Sequence, residues 1–163
     1  MGTLPVAVMG PILGSDVSGS NHLIQMMLSG GMPRFPDIYL PVVDVRDVAT
    51  GHIAAMTTPA AAGERFLLAG GPVISMKEIG AKLRTHLGTA ADRVPTRSIP
   101  NIVVRAAALF SPQFRSTVPD LGYRKQLSDA KARRILGWEP REAEQAIVAA
   151  AETMISKWLA TAG

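Results

Sequence analysis

The sequence predicts an α/β fold with a few mainly parallel strands and a largely helical remainder, and three observations point to it. Residues 4–9 (LPVAVM) are a short continuous apolar run closed by Gly10-Pro11, as in a strand covered on both faces of a parallel sheet, and 65–68 (RFLL), closed by Gly70-Gly71-Pro72, read as another buried strand. Segments with apolar residues at helical spacing alternate with these runs. The last third of the chain, from about Asn101, reads as mostly helical.

Residues 14–19 are loop-like, and Ser18 or Ser20 can cap a helix carrying Leu23, Ile24, Met27 and Leu28, which Gly30-Gly31 stops. Pro33, Pro36 and Pro41 then hold an extended segment around Phe35 and Tyr39, since proline cannot continue a helix and biases its predecessor toward extended geometry. Val42-Val43 is a short strand, and Asp44 caps the next helix with Asp47 in its first turn. Val45, Val48, Ala49, His52, Ile53 and Met56 are its expected buried stripe, and Pro59 and Gly63 end that unit around a plausible flexible turn. Ser75-Met76-Lys77-Glu78 has capping-box spacing, Met76, Ile79, Leu83 and Leu87 line the helix that follows, and Gly88 is placed to end it in left-handed geometry. Helices are expected at about 101–110, at 128–136 with Gly137 at its end, and at 141–159 with Ala143, Ile147, Ala150, Met154 and Trp158 on one side.

The 163 residues suffice for one ordinary domain and are too few for two. With 47% hydrophobic and 18% charged residues, intrinsic disorder is excluded. No run approaches the roughly 18 apolar residues of a membrane helix, so no membrane is expected as a partner. With no cysteine there is neither disulfide framework nor thiolate site, and with no leader pattern the cytoplasm is the expected location. The formal charge of +4 invites nucleic acid. However, the one dense basic stretch, Arg124-Lys125 with Lys131, Arg133 and Arg134, lacks interleaved aromatics, and no nucleic-acid partner is expected.

Chemistry-bearing motifs are mostly absent. No glycines fall in G-x-G-x-x-G order, Gly10 and Gly14 lack the Lys-Ser/Thr of a P-loop, and no serine sits in G-x-S-x-G. His22, His52 and His86 are isolated, which speaks against metal binding, and Asp44 with Asp47 reads as capping before it reads as paired acids.

Five segments in order nevertheless resemble landmarks of the extended short-chain dehydrogenases/reductases of the NAD-dependent epimerase/dehydratase group, most closely the dihydroflavonol-reductase and aldehyde-reductase-like branch. Residues 5–11 (PVAVMGP) resemble N-P-x-x-V-x-G-P, with Leu4 in place of the asparagine. Residues 43–49 (VDVRDVA) resemble V-H-V-x-D-V-A. Residues 63–66 (GERF), 75–79 (SMKEI) and 128–138 (SDAKARRILGW) follow in family order, the last resembling S-x-x-K-A-x-x-x-L-G-W.

The resemblance implies the carboxyl-terminal part of an NAD(P)-binding Rossmann-like fold, so that residues 1–163 form one partial domain: a substrate-binding lobe with the last strands and helices of the sheet. It implies Pro5, Val6 and Val8 at the nicotinamide end of NADP or NAD, with Ser18 and Ser20 reaching the cofactor from the following turn. The same five residues read equally as a buried strand and a helix cap. Substrate contacts map to 31–39, where Met32, Phe35 and Tyr39 suit a small hydrophobic carbonyl compound, although Phe35 and Tyr39 also suit packing of a lid. The family's glycine-rich loop and Y-x-x-x-K pair precede the matching region and have no counterpart here, since Tyr39 and Tyr123 are the only tyrosines and neither has lysine four residues on. The implied function is the substrate-binding portion of an NAD(P)-dependent ketone or aldehyde reductase or epimerase/dehydratase, inactive by itself. The alternative is a stand-alone ligand-binding or partner-binding protein. The implied partners are the missing amino-terminal half or a second copy meeting an exposed strand edge.

Overall fold

A computed structural model describes residues 1–157 and 159. The first apolar run forms two strands rather than one, β1 (Gly2–Pro5) and β2 (Ala7–Met9). β1 runs parallel to β5 (Arg65–Leu68), with Gly2 opposite Arg65, whereas β2 runs parallel to β4 (Val42–Asp44), with Ala7 opposite Val42. Pro5 has no amide to donate. The change of neighbour falls just after it, where Val6 N–H donates to Leu68 O at 3.2 Å and Ala7 N–H to Pro41 O at 3.1 Å. Burial on both faces is met in β4 but not in β1, where β5 is the only ladder partner among the described residues and Leu4 is 54% exposed. Two further short strands, β3 (Tyr39–Leu40) and β6 (Ile74–Ser75), pair antiparallel; each is too short to show a period in the sequence.

α1 (Asn21–Ser29) stops where expected, at Gly30 with a φ of 81°. Neither expected serine caps it: Ser20 is itself in the helical region and its hydroxyl makes no capping bond. α2 (Val45–Thr57) starts on the Asp44 cap, whose Oδ1 accepts Arg46 N–H at 2.8 Å. Its buried side is rotated from the expected stripe: Asp47, Gly51 and Ala55 face inward, while Val45, Ala49, His52, Ile53 and Met56 are exposed and Val48 is half-buried. Gly51 explains the rotation, because a Cβ there would stand 3.0 Å from Leu68 Cδ1 and 3.2 Å from Trp138 Nε1. The helix rests Gly51 on the sheet with Val48 beside it, while Val45 and Ile53 stay exposed. The expected flexible turn at 59–63 holds a 3-10 turn, Pro59–Ala61, with Ala61 buried.

α3 (Met76–Leu87) opens on the expected capping box, with Glu78 N–H donating to Ser75 Oγ at 3.1 Å and Ser75 N–H to Glu78 Oε2 at 2.8 Å. The Ser75 hydroxyl, donating to Glu78 Oε2 at 2.6 Å, and the Ser75 N–H hold the Glu78 carboxyl below its ordinary 4.5, the hydroxyl contributing most. Ser75→Ala is therefore expected to lower the unfolding free energy by about 1 kcal/mol in urea titrations at neutral pH. A group with a depressed folded value stabilises fully above its unfolded pKa, so this difference is expected to shrink as pH falls from 4.5 through the lower folded value. A pH-independent difference contradicts the assignment. Gly88 ends α3 at φ 52° but ψ −125°, outside the left-handed helical basin, and leads into a 3-10 turn.

α4 (Asn101–Phe110), α5 (Pro112–Arg115), α6 (Ala130–Leu136) and α7 (Ala143–Ser156) fill the last third. Ala143, Ile147, Ala150 and Met154 of α7 are buried as expected, and Trp158 lies outside the described residues. α1, α3 and α7 pack Ile24, Met27, Ile79, Leu83, Ile147 and Met154 into one core. A second core joins Val43, Phe66, Leu68, Ala132 and Trp138. Each fully buried large side chain contributes about 1.5–3 kcal/mol relative to exposure, so these two cores fix the ends of β2 and β4 in space.

Candidate functional site

A hollow of about 570 Å³ opens where β2 ends and α1 and α2 begin. Gly10 makes it possible: its φ of 142° is rarely open to other residues, and a Cβ would stand 2.9 Å from Val45 Cγ1. The Asn21 side chain pins this turn from the first residue of α1, its Nδ2 donating to Gly10 O at 3.1 Å and its Oδ1 accepting Gly10 N–H at 3.3 Å. The loop is tied to α7 as well, since Ile12 N–H donates to Thr153 Oγ1 at 3.1 Å and Lys157 Nζ to Leu13 O at 2.7 Å. Its wall is thus held by hydrogen bonds on two sides.

Four of the five residues that the sequence resemblance assigns to a cofactor, Val6, Val8, Ser18 and Ser20, line this one hollow; Pro5 does not. The lining is mostly apolar, with the Ser18 and Ser20 hydroxyls making no hydrogen bond to other described residues. Arg46 also lines it, its Nε at 2.9 Å and Nη2 at 2.6 Å from the two oxygens of buried Asp44. Burial pushes the Asp44 carboxyl up, but the hydrogen bonds and charge of Arg46 outweigh it, so the group is held below its ordinary value. The Asp44 hydrogen bond in turn raises Arg46. This fixed, charge-paired guanidinium and the Asn21 clamp were missed by sequence reasoning. Their signals were a residue two beyond a helix cap and an amide at a helix start, neither of which is distinctive.

Met32, Phe35 and Tyr39 are not brought to this hollow. Phe35 is 1% exposed and its ring tip lies on Gly80; Met32 is also buried, so neither side chain presents surface to a ligand. Tyr39 is half-buried, its hydroxyl accepting Arg124 Nη2 at 2.9 Å while the guanidinium stacks 4.4 Å above the ring. Among the described residues no group of three histidine or carboxylate side chains could hold a metal, and no helix is long and apolar enough to cross a membrane.

No family model matches the chain. Over 65 residues it is 40% identical to cinnamoyl-CoA reductase 2 of Arabidopsis thaliana, covering 40% of this chain and 19% of that protein. Over 89 residues it is 36% identical to the ketoreductase azaE of Aspergillus niger, covering 50% of this chain and 25% of that protein. The chain thus matches a quarter or less of the length of these curated relatives. The crystal structure of yeast methylglyoxal/isovaleraldehyde reductase Gre2 complexed with NADPH superposes with a TM-score of 0.70 at 20% identity, over 96% of this chain and 46% of that one. A nucleoside-diphosphate-sugar epimerase from Pseudomonas aeruginosa superposes with a TM-score of 0.72 at 21% identity, over 94% of this chain and 47% of that one. The likeness to the two solved structures is one of fold, whereas the likeness to the two reductases is one of sequence. Over half of its length or less the chain is thus similar in sequence to curated reductases, and over nearly all of its length its fold is that of about half of a Rossmann-like reductase or epimerase chain.

Proposed function

We propose that the chain is the substrate-binding portion of an NAD(P)-dependent oxidoreductase acting on a small hydrophobic ketone or aldehyde in the cytoplasm, and that the hollow at Gly10 receives the nicotinamide end of NADP or NAD. One observation carries this reading: Val6, Val8, Ser18 and Ser20 meet in a single hollow that combines an apolar wall with unengaged hydroxyls. When bound, a reduced nicotinamide supplies a hydride to the carbonyl carbon. In this reading Val6 and Val8 exclude water from the ring, and Ser18 and Ser20 donate to polar groups beside it. The developing alkoxide also needs a proton. Tyr39 is engaged with Arg124, and neither it nor Tyr123 has a lysine four residues on. This polypeptide is therefore expected not to turn over by itself.

Titration with NADPH, alone and with a hydrophobic aldehyde, tests the reading. Binding without loss of reduced cofactor is expected, weakened about tenfold by Ser20→Leu, which fills the hollow. Turnover by the chain alone, or affinity indifferent to Ser20→Leu, contradicts it. A second reading, in which the same hollow takes a ligand without cofactor, is a stand-alone ligand-binding protein. Tight binding of the aldehyde without cofactor supports that second reading.

The partner proposed for β1 is an amino-terminal half or a second copy of this chain, because Leu4 and one edge of β1 are exposed. Light scattering is expected to give a mass above that of the monomer, rising with concentration. A monodisperse monomer contradicts self-association.

A further inference from the structure

We propose that the chain carries a separate anion-binding site for a small molecule bearing a diphosphate or similarly charged phosphate group, in a hollow of about 380 Å³ lined by Arg34, Arg84, Arg93 and Arg97. The four arginines are scattered over more than sixty residues of sequence and gather only in the fold. Three backbone segments carry them, and each is tied to its neighbours. Arg34 follows Pro33 and precedes Phe35, whose N–H donates to Arg97 O at 3.0 Å and whose carbonyl accepts Ile99 N–H at 2.9 Å. Arg84 lies in the last turn of α3 and its Nη1 donates to Val94 O at 3.3 Å. Arg93 lays its stem along Gly30, where an added Cβ would stand 3.5 Å from the Arg93 Cβ. Buried Phe35 and Val94 root the rim in the core.

Charge is what distinguishes the place. None of the four guanidinium groups forms an ion pair among the described residues. By contrast Arg46, Lys82, Lys131, Arg133 and Arg141 each sit beside a carboxylate. A single acid, Asp92, shares the lining, so four positive groups face one negative. A concave surface concentrates the field of like charges, and guanidinium forks match phosphate oxygens two at a time. The hollow holds no aromatic side chain on which a base could stack, so a small phosphate compound fits better than a single-stranded nucleic acid. The site shares no lining residue with the hollow at Gly10, and its occupation is independent of the function proposed for that one.

Isothermal titration of the full chain with pyrophosphate, orthophosphate and sulfate at matched ionic strength tests the proposal. One equivalent of pyrophosphate is expected to bind about tenfold more tightly than orthophosphate or sulfate, as several forks engage it together. Arg34→Ala/Arg97→Ala is expected to weaken it a further tenfold or so, with the lysine pair in between. Arg105→Ala, exposed on α4, is expected to leave it unchanged. Because all four side chains are exposed, circular dichroism is expected to show the variants folded. No preference for pyrophosphate, an equal loss with Arg105→Ala, or tighter binding of a single-stranded oligonucleotide overturns the proposal.

Discussion

Asp47→Ala is expected to lower the unfolding free energy by about 2–4 kcal/mol, a large share of the margin of a small domain. Asp47 is 3% exposed. Its carboxylate accepts Arg141 N–H at 2.7 Å and pairs with the Arg141 guanidinium, while its carbonyl accepts Trp138 Nε1–H at 2.8 Å. One residue of α2 thereby clasps the turn between α6 and α7 and holds Trp138 over Leu68 and Gly51. Removing the carboxylate strands the Arg141 amide, but the guanidinium is 41% exposed and finds water, which keeps the loss below that of a fully buried pair. Asp47→Asn retains an acceptor for the amide and is expected to lose about half as much. Urea denaturation followed by far-ultraviolet circular dichroism reads both. A loss under about 0.5 kcal/mol for the alanine variant removes the clasp from the account.

Gly80→Ala is expected to cost about 2 kcal/mol, against the gain of up to about 1 kcal/mol that alanine brings to an ordinary helix interior. A Cβ at this position would stand 2.2 Å from Phe35 Cζ, and the ring tip has nowhere to go because Phe35 is enclosed in the core. The cost therefore resides in one pair. Gly80→Ala combined with Phe35→Leu is expected to be more stable than the sum of the two single changes by about 1–2 kcal/mol. Additive losses show instead that helix α3 shifts as a body. The same contact explains why Phe35 is closed to a ligand: the extended Pro-rich segment is anchored on Gly80, the one glycine within α3.

Features set by neighbours in sequence were legible in it. The Ser75 capping box, the Asp44 cap, the stop at Gly30 and the stop at Gly137 each depend on residues a few positions apart, and each forms. What depends on distant residues was not legible. The apolar spacing of α2 pointed to Val45, Ile53 and Met56, yet Trp138 and Leu68 select the Gly51 side. The apolar run 4–9 gave no sign that its second half would leave β5 for β4. The hollow at Gly10 combines residues named through the family resemblance with Asn21 and Arg46, whose roles come from hydrogen bonds to the turn and to Asp44. The arginine cluster was hidden for the same reason: a basic stretch in sequence, such as Arg133-Arg134, is visible and ordinary, whereas Arg34 and Arg97 meet only through the backbone bonds of Phe35.

The measurement that bears most directly on the central claim is an amide chemical-shift map of the nitrogen-labelled Arg34→Ala/Arg97→Ala chain titrated with NADPH, the substitutions removing the second site's attraction for phosphate. The account predicts shifts concentrated at Val6, Val8, Gly10, Ile12, Ser18, Ser20 and Asn21, the residues around the Gly10 turn, with the reduced cofactor left unconsumed. Shifts spread evenly over the surface, or gathered anywhere that leaves Gly10, Ser20 and Asn21 unmoved, contradict it.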